Sequence, residues 1–391
     1  MVHLVSCIPD TCQRFQMQTK IPAILYRGGT SKGPLFLANH LPRDPETLSR
    51  VLLAAMGSPH PRQVDGIGGA ESLTSKIGIV SRSQRPGIDI DYLFAQVNPN
   101  SPVVDYSSSC GNMLSAVGPF ALEQGLVEAD ESGTTSISVF NINTDSCIDV
   151  EVATPNGQVS YDGQTQIDGV PGSAAPVRQN FARTVGSKTK KLLPTGKRSE
   201  EILGYEVTCI DVAVPTVLIS AEALGKSGHE SKEELDADPH LVHLLNEIRV
   251  EAGKRMGMGD CSDLVIPKPL MLSRPLHGGT VTSRDFVPYN CHATHSVTGA
   301  IALATACAME GTVASRISGA ASGFVRIEHP SGFIDIETEA RDDGDRFDLK
   351  VAGLLRTCRK LFEGNVCIPA SVWDGTGCSE DAAEIASGLT F

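Results

Sequence analysis

Hydrophobic positions along this chain fall into short apolar runs separated by glycine-rich turns, and two long charge-free stretches stand apart from them. Residues 21–26, 77–81 and 88–97 have the length and apolar content of strands, as does the run 34–38 that follows the turn RGGTSKG. Over Pro45–Met56 the period changes. Leu48, Val51, Leu52 and Ala55 share one face, Asp44 stands where a cap belongs and Pro45 suits a first turn, so the pattern predicts a helix. Further strands are expected over 135–141, 147–152, 207–214 and 216–220, and near 323–328, 332–337 and 346–351. A polar helix is expected from Pro239 to Met256, with Asp238 as its cap.

The two charge-free stretches carry the argument about organisation. VDYSSSCGNMLSAVGPFALEQGLV (104–127) reads as a polar turn entering a helix at about Cys110, uncharged until Glu123. NCHATHSVTGAIALATACAMEGTV (290–313) repeats the plan, with only histidines before Glu310. A helix apolar on every side is buried. Laying Cys110 on Cys291, an offset of 181, pairs Ser115 with Ser296, Gly118 with Gly299, Ala121 with Ala302 and Leu122 with Leu303. The match predicts a duplicated α/β unit with a site between its halves. The expected division is a leader over 1–20, a first domain over 21–178 and a second over 179–365. The Gly/Pro/Ala-rich segment 166–181 connects the domains, and 366–391 is a candidate to rejoin the first. The basic stretch 188–198 is expected to be exposed, and the acidic C-terminal tail peripheral apart from 366–369.

Composition narrows the partners. The formal net charge of −13 leaves no general basic face for nucleic acid, although a pocket can be locally positive on an acidic protein. Apolar residues make up 41% and charged residues 20%, which fits globular cores. The eleven cysteines show no paired spacing of a zinc site; Cys7 and Cys12 have no matching second pair. A reduced, cytoplasmic chain is expected, without a signal peptide or a membrane-spanning run.

Three segments carry candidate chemistry. SSSCGN (107–112) offers hydroxyls, a thiol and a glycine at a helix start, where backbone N–H groups bind carboxylates and a thiol can exchange protons. The plainer reading is a serine-capped helix with an inert buried cysteine. RGGTSKG (27–33) lacks the spacing of a nucleotide-binding loop; it is either a ligand-binding turn or a surface turn. In GGAESLTSK, Lys76 ends a loop and begins a strand. A lysine acts as a carbon base only when it spends part of its time neutral, which burial and a neighbouring cation such as Lys32 favour; otherwise it is a salt-bridged lysine. In the second half, Cys291, His292 and His295 flank the helix start, with Lys268 (IPKP) and His329 (HPSG) as weaker candidates for binding a carboxylate.

Taken together, RGGTSKG, DGIGGAESLTSK, SSSCGN, QIDGVPG, VTGAIALA and HPSG resemble segments found in this order in the PrpF-type isomerases, over about residues 20–370. That group includes 2-methylaconitate cis–trans isomerase, aconitate isomerases and 4-oxalomesaconate tautomerase. The resemblance implies a diaminopimelate epimerase-like α/β fold, two pseudo-symmetric domains each wrapping strands around a central buried helix. It implies that Lys76 is the base and Cys110 the partner acid or a binding group. It places Thr30, Ser31, Lys32, Ser75, Ser109, Gly111, Asn112 and Met113 in substrate-binding loops, with Lys268, His292, Ser296, Thr298 and Gly299 from the second half. His292 follows the family where Met-His is common, and Cys291 departs from it, so the second proton donor stays open. The implied activity is cofactor-independent allylic proton transfer in an unsaturated tricarboxylate, without metal, nucleic acid or membrane, and with a homodimer allowed. Conversion of cis-aconitate to trans-aconitate is the substrate expectation. 2-Methylaconitate and 4-oxalomesaconate are alternatives, and a non-catalytic carboxylate-binding accessory protein is the alternative of another class.

Overall fold

The computed structural model describes residues 17–107, 109–287, 289–319, 323–344 and 346–389. β1 (Gln18–Gly28) and β2 (Ser31–Leu37) form an antiparallel hairpin that turns at Gly29 and Thr30. Helix α1 (Pro45–Met56) crosses to β3 (Lys76–Arg82), which lies parallel to β2, and β4 (Ile90–Val97) returns antiparallel with the two-residue β5 (Val104–Asp105) on its edge. Helix α2 (Gly111–Glu123) crosses to β6 (Gly133–Asn141), parallel to β4, and β7 (Ser146–Thr154) and β8 (Pro176–Asn180) complete a meander.

The order then recurs. β9 (Glu200–Ile202) borders the hairpin of β10 (Tyr205–Val212) and β11 (Val214–Ser220). Helices α3 (Lys232–Asp236) and α4 (Pro239–Arg255) cross to β12 (Lys268–Ser273), parallel to β11, and β13 (Val281–Asp285) returns antiparallel. Helices α5 (Val297–Cys307) and α6 (Val313–Ser318) cross to β14 (Gly323–His329), parallel to β13, and β15 (Gly332–Asp342) and β16 (Phe347–Pro369) follow. Hairpin, helical crossover, hairpin, buried-helix crossover and meander thus occur twice, so duplication is written in the strand pairing.

β16 ties the repeats together. Its first part pairs with β15, Gly353–Thr357 pairs with β8, and Cys358–Pro369 pairs with β1. The last pairing closes the first set of strands into a barrel around α2, which removes its open edges. Helices α2 and α5 are buried along nearly their whole lengths, as their uncharged sequences predict. One continuous core holds Val117, Phe120 and Ile137 around α2 and Ile301, Leu303 and Val325 around α5. A second core packs α1 against the outside of the first barrel, and a third packs α4 against the second set of strands.

Several expectations from the sequence change. Gln18, Thr19 and Lys20 belong to β1 rather than to a leader; residues 1–16, with Cys7 and Cys12, lie outside the described residues. The connection 166–181 contains β8, whose backbone is needed to fill the sheet between β7 and β16. The stretch 188–198 is tethered: the N–H groups of Lys188 and Thr189 donate to Asp211, Leu192 and Leu193 pack on the core, and Arg198 pairs with Asp342. The tail is not peripheral either. Trp373 is buried and helix α7 (Ala382–Ser387) sets Ala382 and Ile385 into the second core. Most consequentially, α5 starts at Val297 and not near Cys291.

Candidate active site

The site lies where the starts of α2 and α5 meet. Cys110 is the N-cap of α2, its Sγ accepting from the Met113 N–H at 3.5 Å. Ser296 is the N-cap of α5, its Oγ accepting from the Gly299 N–H at 3.2 Å. Gly111 lets the helices meet: a Cβ built there would stand 2.6 Å from Val297 Cγ1. Among the described residues, the first-turn N–H groups of Gly111, Asn112, Val297 and Thr298 have no hydrogen-bond partner. Two helix N-termini, with their partial positive charge, therefore face one pocket.

Two lysines complete it. Lys76 opens β3, is 9% exposed, and holds its Nζ 5.4 Å from the centre of the Phe94 ring. Lys268 opens β12 at the matching place in the second repeat and donates to Thr298 Oγ1 at 3.4 Å. Burial pushes the Lys268 ammonium below its ordinary range; nearby Asp285 opposes this and Lys76 adds to it. Lys268, and not the Lys32 expected from the sequence, is the cation that shares the pocket with Lys76.

His292 lines the same pocket. Burial lowers its pKa to about 3, so the ring is neutral. The Thr294 N–H donates to Nδ1 at 3.0 Å, which assigns the proton to Nε2 and makes that atom a donor. Ser109 lines the pocket and accepts from Asn141 Nδ2. Asn112 donates from Nδ2 to Thr30 Oγ1 at 3.1 Å and leaves its buried Oδ1 without a partner. The pocket encloses about 30 Å3, room on the order of one or two waters. It adjoins an outer cleft of about 520 Å3, and the two share Ser72, Leu73, Gln96, Val265, Val287 and His292.

Lys76, Cys110, Ser109, Gly111, Asn112, Lys268, His292, Ser296 and Thr298 are thereby brought together. The other expected residues are not in the pocket wall. Ser31 sits behind Cys110, its Oγ 4.0 Å from Sγ, and Thr30 meets Thr294 Oγ1 at 3.1 Å. Lys32 faces a different cavity. Ser75 donates to Gln63 Oε1 at 2.8 Å and so fixes the loop before Lys76. Met113 is buried in the core, and Gly299 serves the α5 cap. Cys291 is packed in the third core with its Sγ toward the His292 carbonyl at 3.6 Å, and burial pushes its thiol up to about 12. The position equivalent to Cys110 is Ser296, an offset of 186 rather than 181.

Sequence reasoning missed the supports. Gln63 accepts from Ala70 N–H and Ser75 Oγ, and Gln96 donates to the Ser72 and Ser75 carbonyls, so two amides hold the glycine-rich loop. Arg249 is fully buried on α4 and donates to the carbonyls of Cys261, Ser262 and Ile266, just before Lys268. Asp285 accepts from the Ser296 N–H at 2.9 Å and seats the α5 start. The glycines of RGGTSKG serve close packing: a Cβ at Gly33 would stand 1.7 Å from the Lys76 carbonyl oxygen, and at Gly28 2.6 Å from that of Asn112. QIDGVPG and HPSG meet each other: a Cβ at Gly332 would stand 2.1 Å from Asp168 Oδ2, and the N–H of the next residue, Phe333, donates to that oxygen at 2.6 Å.

Residues 18–369 match the family described as PrpF protein. The chain belongs to that family. It is 48% identical over 361 residues to a 4-oxalomesaconate tautomerase from Pseudomonas putida, covering 92% of this chain and 99% of the relative. It is 43% identical over 350 residues to a (4E)-oxalomesaconate Delta-isomerase from a Novosphingobium strain, covering 89% of this chain and 97% of the relative. The solved structure of a methylitaconate-delta-isomerase is 32% identical, with a TM-score of 0.74 over 91% of this chain and 97% of that one. A hydroxyproline epimerase shares only 10% identity but superposes with a TM-score of 0.55, which speaks to fold alone. This PrpF-family chain is an isomerase with a diaminopimelate epimerase-like α/β fold. Among the described residues no helix is long and apolar enough to cross a membrane, and no group of three or more His, Cys, Asp or Glu residues is placed to hold a metal ion.

Proposed function

We propose that this enzyme isomerises a small unsaturated tricarboxylate by moving a proton along an allylic system in the pocket between α2 and α5. The observation that carries the reading is the convergence of Lys76, Lys268 and the four unpartnered N–H groups in one buried pocket. The carboxylates of such a substrate bind to the Lys268 ammonium and to the helix starts, and Lys76 acts in its neutral form. Lys76 removes the proton that is acidified by a carbonyl or carboxylate and by the adjacent double bond. The charge spreads into a dienolate, which the N–H groups and His292 Nε2–H stabilise. Lys76 returns its proton elsewhere on the system, or Cys110 gives one there and the resulting thiolate regains a proton from solvent as Lys76 releases its own; no redox partner is needed. The loops carrying Ser72, Leu73, Val265 and Val287 must part to admit a ligand, because the inner pocket is smaller than any tricarboxylate.

The preferred substrate is an oxalomesaconate-type tricarboxylate, in which a 2-oxo group further acidifies the migrating proton. The relatives that share 48% and 43% identity bear that substrate in their names, and this supports it over the cis-aconitate expected from sequence. The test is to incubate the protein in D2O with 4-oxalomesaconate, cis-aconitate and 2-methylaconitate separately and to follow each by proton NMR. Rapid isomerisation of oxalomesaconate with slower turnover of the others is expected. Fastest turnover of cis-aconitate would overturn the substrate choice, and binding without exchange or product in any of the three would overturn the enzymatic reading.

A further inference from the structure

The turn RGGTSKG has a second face that the catalytic pocket does not use. Lys32, Arg27 and Arg359 are neighbours across three strands: Arg27 is in register with Lys32 on β2 and with Arg359 on β16. Residues in antiparallel register project to the same side of a sheet, and like charges placed so repel. All three line a cavity of about 530 Å3, whose far wall is the segment around Gly169–Ala174 together with Tyr161 and Asp162. Thr30, Ser31 and Ser173 add hydroxyl-bearing residues to the lining.

Among the described residues none of the three forms an ion pair; Arg27 donates only to the carbonyls of Gly29 and Thr357, at 2.8 and 2.9 Å. Asp162 is the one acid in the lining, against three cations, in a chain whose net charge is −13. Burial lowers the Arg27 guanidinium from its ordinary value; Cys358 opposes this and the Arg359 charge adds to it. An acidic protein that sets three cations side by side in a concavity, at a cost in self-repulsion, has made a local positive field suited to an anion.

We infer that this cavity is a second anion site, taking a small polyanion with two or more carboxylate or phosphate groups. It does not depend on the catalytic reading. It shares a wall with the catalytic pocket, since Ser31 backs Cys110 and Thr30 bonds Asn112 and Thr294. An anion held there stiffens the turn that supports the α2 cap.

The test is calorimetric titration of citrate, and separately of inorganic phosphate, into the full-length protein and two variants. Arg359→Glu reverses one exposed charge in the row; Lys268→Met weakens anion binding in the catalytic pocket alone. At least one anion should bind wild type and Lys268→Met alike, and bind Arg359→Glu about tenfold or more weakly, because a charged hydrogen bond is lost. Citrate or phosphate as the tighter ligand then names the anion class. Unchanged binding to Arg359→Glu, loss of binding in Lys268→Met only, or no binding of either anion to wild type overturns the inference. A thermal melt of Arg359→Glu that matches wild type shows that the change is local.

Discussion

Cys110 and Ser296 hold the same place on two different helices, each the N-cap of a buried helix and each accepting an N–H from three residues ahead. One repeat presents a thiol to the pocket and the other a hydroxyl, so the shared architecture supports unequal chemistry. Cys110→Ser keeps a capping oxygen and should leave stability nearly unchanged. If the thiol returns the proton, turnover falls on the order of 10²-fold. Cys110→Ala should cost about 1 kcal/mol of stability through the lost cap. Urea unfolding together with initial rates separates the two effects, and a Cys110→Ser enzyme with full activity reduces the thiol to a binding group.

Lys76 and Lys268 invite a direct comparison. With Lys76 as base, Lys76→Ala lowers kcat by about 10²–10⁴-fold with a native circular dichroism spectrum and little change in KM. Lys268→Met raises KM chiefly. The reverse pattern would exchange their roles. Loss of solvent deuterium incorporation in Lys76→Ala is the more specific readout.

Acid should weaken the fold before carboxylates titrate. His292 and His329 both have pKa values lowered by burial to about 3, well below the ordinary imidazole value of about 6.5. The unfolded chain therefore takes up protons that the native one refuses, and stability is lost as pH falls below 6.5 toward 3. The slope is about 1.4 kcal/mol per pH unit for each histidine once well inside that window. Urea midpoints at pH 7, 6 and 5 measure it, and His329→Gln should flatten the decline. A midpoint that does not move between pH 7 and 5 contradicts the burial of these rings.

Gly33→Ala tests the close approach behind the base. The new Cβ collides with the Lys76 carbonyl, so β3 must shift at its first residue. Activity should fall by more than tenfold, because small displacements of reacting groups are expensive. Gly87→Ala is the control: its φ of +72° carries strain of about 1 kcal/mol, yet nothing lies within 4 Å. Equal rates for the two variants would mean that the approach is not what positions Lys76.

Arg249→Met should destabilise the protein by several kcal/mol, since three loop carbonyls lose a buried charged donor. The loop they belong to leads into Lys268, so KM should rise in whatever fraction remains folded. Thermal melts and steady-state kinetics on the same preparation test both statements.

Much of this was legible in the residues. Uncharged sequence marked α2 and α5 as buried, and Asp44 and Asp238 marked the caps of α1 and α4, which the structure places there. Cap position misled where two residue types can do the same job. The eye pairs cysteine with cysteine, but Cys291 sits before a bend and Ser296 performs the capping. Strands β12 and β13 escaped notice because they are buried and short, so Leu270, Met271 and Leu272 give no alternation to read. Lys76 could be singled out at a loop–strand junction, whereas Lys268 gained weight only when the repeat placed it at the equivalent strand start. Ser75 and Lys32 looked alike with their reactive neighbours, and only a fold could say that one faces Gln63 and the other a separate cavity.

The path of β16 has a consequence for how the molecule is made. Residues 18–180 leave the ribosome without one stave of their barrel, and Cys358–Pro369, which fills the gap beside β1, arrives only after the whole second repeat has been synthesised. The first half of the chain to be born is therefore the last to be sealed.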